Sequence, residues 1–174
     1  KTEDIPYGGL LSLTAGKEKH EAEERIYAGA SLSLGNSVRD LGYFYTSAGI
    51  STFFNRKETE QGLLLVRTSY FSNLVYLGRF RLRTFVNIDY TRGFDREKEE
   101  SLSFIRENGF SGFRNDSVRG EQRLAFGLES VLFSPSKIHG FRFAFFAFAD
   151  FGYLFGTNEY VNEGVVLSSI GLGI

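Results

Sequence analysis

The sequence has no cysteine, which excludes disulfides and thiolate metal sites and leaves the redox compartment only weakly constrained. It has no apolar run approaching the roughly 20 residues of a transmembrane helix. The chain opens KTEDIPYGG, with acidic residues and without the apolar stretch of a secretory leader. Two readings follow: a cytoplasmic protein, or an internal piece of a longer chain whose targeting segment lies upstream. Charge of either sign is not in excess, since 20 Lys plus Arg face 21 Asp plus Glu. That balance argues against a nucleic-acid partner, because such proteins carry a basic surplus. Only two prolines occur, whereas glycine (20), phenylalanine (19) and tyrosine (9) are abundant. The average hydropathy resembles that of a soluble protein, yet strands that alternate between lipid and lumen give the same average. The 174 residues suffice for one domain with a sizeable core.

Helical periodicity is nearly absent, and alternation with a period of two takes its place in eight segments. The clearest is RFRLRTFVNIDYTR, residues 79–92. Arg79, Arg81, Arg83, Phe85, Asn87, Asp89 and Thr91 occupy one face, and Phe80, Leu82, Thr84, Val86, Ile88 and Tyr90 the other. Similar patterns predict strands over 7–17, 25–35, 42–54, 63–77, 122–133, 140–156 and 165–174. The connections alternate too. KEKHEAEER, NRKETEQ, the stretch 93–121 and GTNEYVNEG read as long charged loops; NSVRDL, the turn near Gly78 and SPSKIHG read as short turns. An up-and-down meander puts every second connection at the same end, so long loops gather at one end and short turns at the other, as in outer-membrane barrels.

Alternation alone leaves the inside undecided. A soluble eight-stranded ligand carrier turns its apolar face inward, which would set Phe80, Val86, Phe126 and Phe143 around a cavity. A transmembrane barrel turns it outward. The predicted strands of about 10–14 residues match or exceed the 9–11 needed to cross a bilayer. Glycine and serine on the polar face, and tyrosine and phenylalanine near strand ends, fit a crowded lumen and interfacial girdles.

Catalytic signals are lacking. His20 and His139 lie far apart in charged or turn segments, whereas a metal site needs three or four ligands. DREKEE (95–100) reads as exposed loop charge, and the glycines of GLGI and SAGIS read as strand glycines without nucleotide-site spacing. Neither a cofactor nor an enzymatic activity is expected from these residues.

The stretch NDSVRGEQRLAFGLESVLF (115–133) stands apart, because a long polar connection ends in Arg-Gly just before a strand. Together with FAFADFGYLFG (146–156), it resembles the C-terminal barrel of the BamA-like bacterial surface antigen superfamily of Gram-negative outer membranes. Val118, Arg119 and Gly120 match the family's Val-Arg-Gly signature, carried on a long extracellular loop folded into the lumen. Phe148, Asp150 and Gly152 match its aromatic-x-Asp-x-Gly strand element, and Glu129 falls where the intervening strand often has a glutamate. The resemblance implies an all-β, antiparallel up-and-down transmembrane β-barrel region. It implies about eight strands of a barrel of about sixteen, with residues 1–174 cut at both ends. It further implies that loop 93–121 enters the lumen and that Arg119 meets Asp150, with Gly120 allowing close approach. A cation in a narrow, partly dehydrated lumen needs such a partner, and a guanidinium–carboxylate pair also fixes orientation.

Glu121 replaces the family's usual aromatic and is expected to join Arg123 and Arg142 in a charge network. The Arg79, Arg81, Arg83 ladder reads either as the lining of an anion-attracting pore or as an inward face balanced by loop carboxylates. By resemblance, the role is non-enzymatic: outer-membrane protein insertion or polypeptide transport, or anchoring of a fused domain. The implied partners are outer-membrane lipid, unfolded outer-membrane polypeptide, and a periplasmic or enzymatic domain of the same chain. The alternative is a small stand-alone eight-stranded barrel, serving as an outer-membrane pore or as the soluble carrier above.

Overall fold

A computed structural model describes residues 5–20, 23–55, 58–95, 102–104, 115–155 and 164–174; at 20, 23, 103, 104, 115–119 and 138 it describes the backbone only. The described residues are all-β. The strands are β1 (Gly8–His20), β2 (Glu23–Val38), β3 (Gly42–Asn55), β4 (Glu58–Ser72), β5 (Val75–Leu77), β6 (Phe80–Phe94), β7 (Leu102–Phe104), β8 (Asn115–Gly120), β9 (Gln122–Ile138), β10 (Phe141–Phe155) and β11 (Val165–Gly173). One antiparallel sheet runs β1-β2-β3-β4-β6-β9-β10-β11, with β5 also paired to β6. It is open: β1 and β11 each pair on one side only. A separate pair, β7 with β8, lies within the 93–121 connection. The remainder of that connection, and with it DREKEE beyond Asp95, lies outside the described residues.

Seven of the eight predicted segments are each a strand, and most of these are longer than expected. In KEKHEAEER, the described residues 17–20 and 23–25 are strand rather than loop: Lys17 pairs with Ile26 and His20 with Glu23. Its charges are complementary across the strands, with Lys17 Nζ 2.6 Å from Glu24 and Arg25 Nε 3.0 Å from Glu18. Opposite charges placed directly across a pair favour pairing, so a charge run need not end a strand. NRKETEQ behaves likewise, with Asn55 paired to Glu58. Conversely, 63–77 is not one strand. The chain leaves β4 at Ser72, and Val75–Leu77 forms a separate hairpin arm against β6. The β9–β10 turn is the two-residue His139–Gly140, with φ of 49° and 85°. Both central residues at positive φ define the type I′ turn that matches strand twist, so His139 serves the turn.

The two faces differ in exposure as sharply as in chemistry. Leu32, Ile50, Ile88, Phe126, Phe151 and Ile170, from six different strands, share one face and are 37–85% exposed. Among the described residues the buried apolar side chains are Tyr43, Ala125 and Leu154, whereas the buried polar ones are Arg25, Asp89, Thr91, Arg123 and Asp150. A water-soluble fold shows the opposite bias, because isolated charges are costly to bury and apolar area is favourable to bury. Phe80 and Phe126, which a carrier would turn into its cavity, are 38% and 37% exposed on the apolar face.

Candidate functional site

The polar face concentrates its charges where β4, β6 and β9 run side by side. Register sets Arg67 opposite Asp89, and Thr91 opposite Arg123. Arg67 Nε donates to Asp89 Oδ2 at 2.6 Å, and Arg123 Nη2 donates to Asp89 Oδ1 at 2.9 Å. Thr91 Oγ1 donates to the same Oδ1 at 3.1 Å and lies 3.0 Å from Arg123 Nη2. Asp89, Thr91 and Arg123 are buried, while the Arg67 side chain is half-exposed. Both carboxylate oxygens are therefore engaged, and a buried charge is tolerable when its lone pairs are satisfied in this way. The arrangement braces three strands across one face.

A second cluster lies at the long-connection end. Buried Arg25 donates from Nε to Glu18 at 3.0 Å, has Nη1 3.6 Å from Glu60, and stacks 4.1 Å above the Phe53 ring. It joins β1, β2, β3 and β4. Among the described residues, no three His, Asp or Glu side chains converge as metal ligands.

Asp150 is buried on the same face of β10, and Ser169 Oγ of β11 donates to its Oδ2 at 3.2 Å. Between Asp150 and Asp89, roughly 10 Å across two strand spacings, the face carries only Ala125, Gly127 and Gly152. Ala125, Asp150 and Gly152 are nonetheless buried there. Gly120 is buried where β8 meets the end of β10: a Cβ there would collide with the Phe155 carbonyl and the Leu154 side chain. The Glu121 backbone continues the junction, donating its N–H to Phe155 O and accepting from Gly93 N–H, both at 2.8 Å. The Arg-Gly-Glu stretch thus ends in a joint stitched to β6 on one side and β10 on the other.

Of the residues singled out from the sequence, Gly120, Glu121, Arg123, Asp150 and Gly152 gather at this end of the polar face. Val118 and Arg119 belong to β8, and their side chains lie outside the described residues. Glu129 faces the same way farther along β9, opposite Phe85 and Phe148. Arg142 is not in the group; it pairs with Lys137 beside the His139–Gly140 turn. It stands 12 residues along β10 from Leu154, the partner of Arg123, or roughly 40 Å at strand rise. Asp89, Arg67 and Arg25 were not singled out. Their signal was present, as charges on the polar sides of alternating segments, but cross-strand register was needed to pair them. Comparison with family models, curated proteins and solved structures finds no match for this chain.

Proposed function

We propose that this chain is part of the wall of a bacterial outer-membrane β-barrel, with its apolar face toward lipid and its charged face toward the lumen. The observation that carries the reading is the inverted burial: exposed leucine, isoleucine and phenylalanine on one face, and buried Asp89, Arg123 and Asp150 on the other. An exposed apolar face this broad calls for a nonaqueous neighbour. Seven of the strands have 13–17 residues, enough to cross a bilayer with tilt and project beyond it. The open edges of β1 and β11 suit a larger barrel whose other strands complete the pairing.

On the Val-Arg-Gly and Phe-x-Asp-x-Gly resemblance, the barrel is of the BamA-like kind, about sixteen strands in all. Its role is then protein insertion or polypeptide transport, or anchoring of a fused domain. In this reading Arg119 reaches Asp150 and holds the 93–121 loop against the small-residue patch of Ala125, Gly127 and Gly152. The test is a double substitution, Arg119→Cys with Asp150→Cys, in the complete protein in membranes, after removal of any cysteine outside these 174 residues. A crosslink formed in high yield is the expected result. Its absence in a folded, membrane-inserted protein would remove the loop lock and bring forward the small stand-alone barrel.

A further inference from the structure

At the short-turn end, away from the Asp89 network, the structure gathers arginine without carboxylate. A cavity of about 530 Å³ is lined by Arg79, Arg81, Arg83 and Arg142, with Phe133 and Pro135 among its apolar walls. Arg81 and Arg83 stand at alternate positions at the start of β6, so the pleat points them the same way about 7 Å apart, and Arg79 joins them from the β5–β6 turn. The fourth arrives through a bulge. The β9–β10 register shifts between Arg142 and Ala144, around Ser134–Ser136, and sets Arg142 directly opposite Lys137. Like charges directly opposite one another are unfavourable in a sheet.

Nothing described neutralises this cluster. None of the four arginines forms an ion pair among the described residues. The carboxylate facing them, Glu129, lies two positions along β9 from Val131, the partner of Arg83, and is not bonded to them. Arg81 and Arg83 lie over aromatic rings instead, 5.7 Å from Tyr76 and 5.2 Å from Phe71. The Arg83 Nε is buried and has no hydrogen-bond partner. Rings hold the flat faces of guanidinium groups and leave their N–H edges for an acceptor.

We propose that this cavity is a binding site for a phosphate-bearing anion carrying more than one negative charge. Guanidinium forks match phosphate oxygens two at a time, and several of them at this spacing favour a polyanion over a single carboxylate. The geometry is independent of the loop lock and of the membrane reading. Two sources share the chemistry: a soluble polyphosphate, or the headgroups of anionic phospholipid.

The probe is inorganic tripolyphosphate, titrated calorimetrically against the complete folded protein in zwitterionic detergent. Saturable binding that weakens with added salt is expected. Arg81→Gln with Arg83→Gln should lower the affinity at least tenfold, and Arg142→Gln, exposed at a strand end, should lower it severalfold without disturbing the fold. Glu129→Gln should raise it. Circular dichroism checks that each variant retains its β-structure. Repeating the titration in phosphatidylcholine and in phosphatidylglycerol bilayers separates the sources. Loss of the tripolyphosphate signal only in phosphatidylglycerol identifies the headgroup; equal binding in both identifies the soluble ligand. Absence of saturable binding in the native chain, or unchanged affinity in folded Arg142→Gln and in the folded double variant, overturns the proposal. So would preference for polyglutamate over tripolyphosphate.

Discussion

Asp89 accepts hydrogen bonds from two arginines and a threonine, and two of those three donors are buried with it. Removing only the carboxylate would take from buried Arg123 the acceptor it bonds at 2.9 Å, and from Arg67 the one it bonds at 2.6 Å. Asp89→Ala is therefore expected to cost about 3–5 kcal/mol of folding stability, as for a broken buried pair. Replacing Asp89 and Arg123 together by leucine and methionine should recover most of that loss, because the buried pair is removed as a unit and Arg67, which also loses Asp89, is half-exposed. Arg67→Ala should cost only about 0–1 kcal/mol, since the Arg67 side chain is half-exposed. Denaturant titration of the three variants in one lipid or detergent system checks the ordering. An Arg67→Ala loss as large as that of Asp89→Ala would contradict it. Gly120 makes a separate case. Any side chain there meets the Phe155 backbone, so Gly120→Val should destabilise by about 1–3 kcal/mol, as overpacking does. It should also loosen the β8–β10 joint, read as faster proteolysis within 93–121.

Among the elements, the hairpins carry the main lesson about charge. Runs such as KEKHEAEER look like loops when read along the chain, yet Lys17–Glu24 and Glu18–Arg25 pair across it. Reversing one member tests this: Glu24→Lys sets a like charge directly opposite Lys19 and diagonal to Lys17, and should weaken the β1–β2 tip by about 0.2–1 kcal/mol. The readout is faster amide exchange at Lys17–Lys19, with residues 8–14 unaffected. The edge strands show a different physics. On β11, Ile170 and Leu172 are 85% and 84% exposed, and the strand has one hydrogen-bonding edge unpaired. Exposed apolar side chains on an open edge promote edge-to-edge association. The 174-residue chain refolded without detergent should therefore form large assemblies by light scattering, and Leu172→Lys should reduce them.

For the whole molecule, the deciding issue is what covers the apolar face. Ile50 lies mid-strand on that face and is 53% exposed. If it faces hydrocarbon, Ile50→Arg should cost about 2–4 kcal/mol in folding from urea into lipid vesicles, the penalty for a cation at the bilayer midplane. If it faces water, the change should stay within about 0.5 kcal/mol, as ordinary surface substitutions do. A small value would remove the membrane reading. The arginine cavity would stand, since its tripolyphosphate titration in detergent does not depend on insertion, although the bilayer arms that separate its two sources would then lose their meaning.

The sequence by itself determined the strands and the chemistry of their faces. Alternation has a period of two whatever surrounds it, so the apolar and polar sides of 79–92 and 122–133 were legible residue by residue. Motif spacing likewise drew attention to Gly120 and Asp150. Strand ends were less legible, because a charged residue ends a strand or continues it according to what lies opposite. Only the tertiary structure decided that Lys17–His20 continue β1, that Arg67 and Arg123 converge on Asp89, and that Arg142 belongs with Arg81 and Arg83 rather than with Glu121. Each of these depends on cross-strand register, including the shift near Ser134–Ser136. Register comes from turns, bulges and packing among residues far apart in the chain, and no local pattern encodes it.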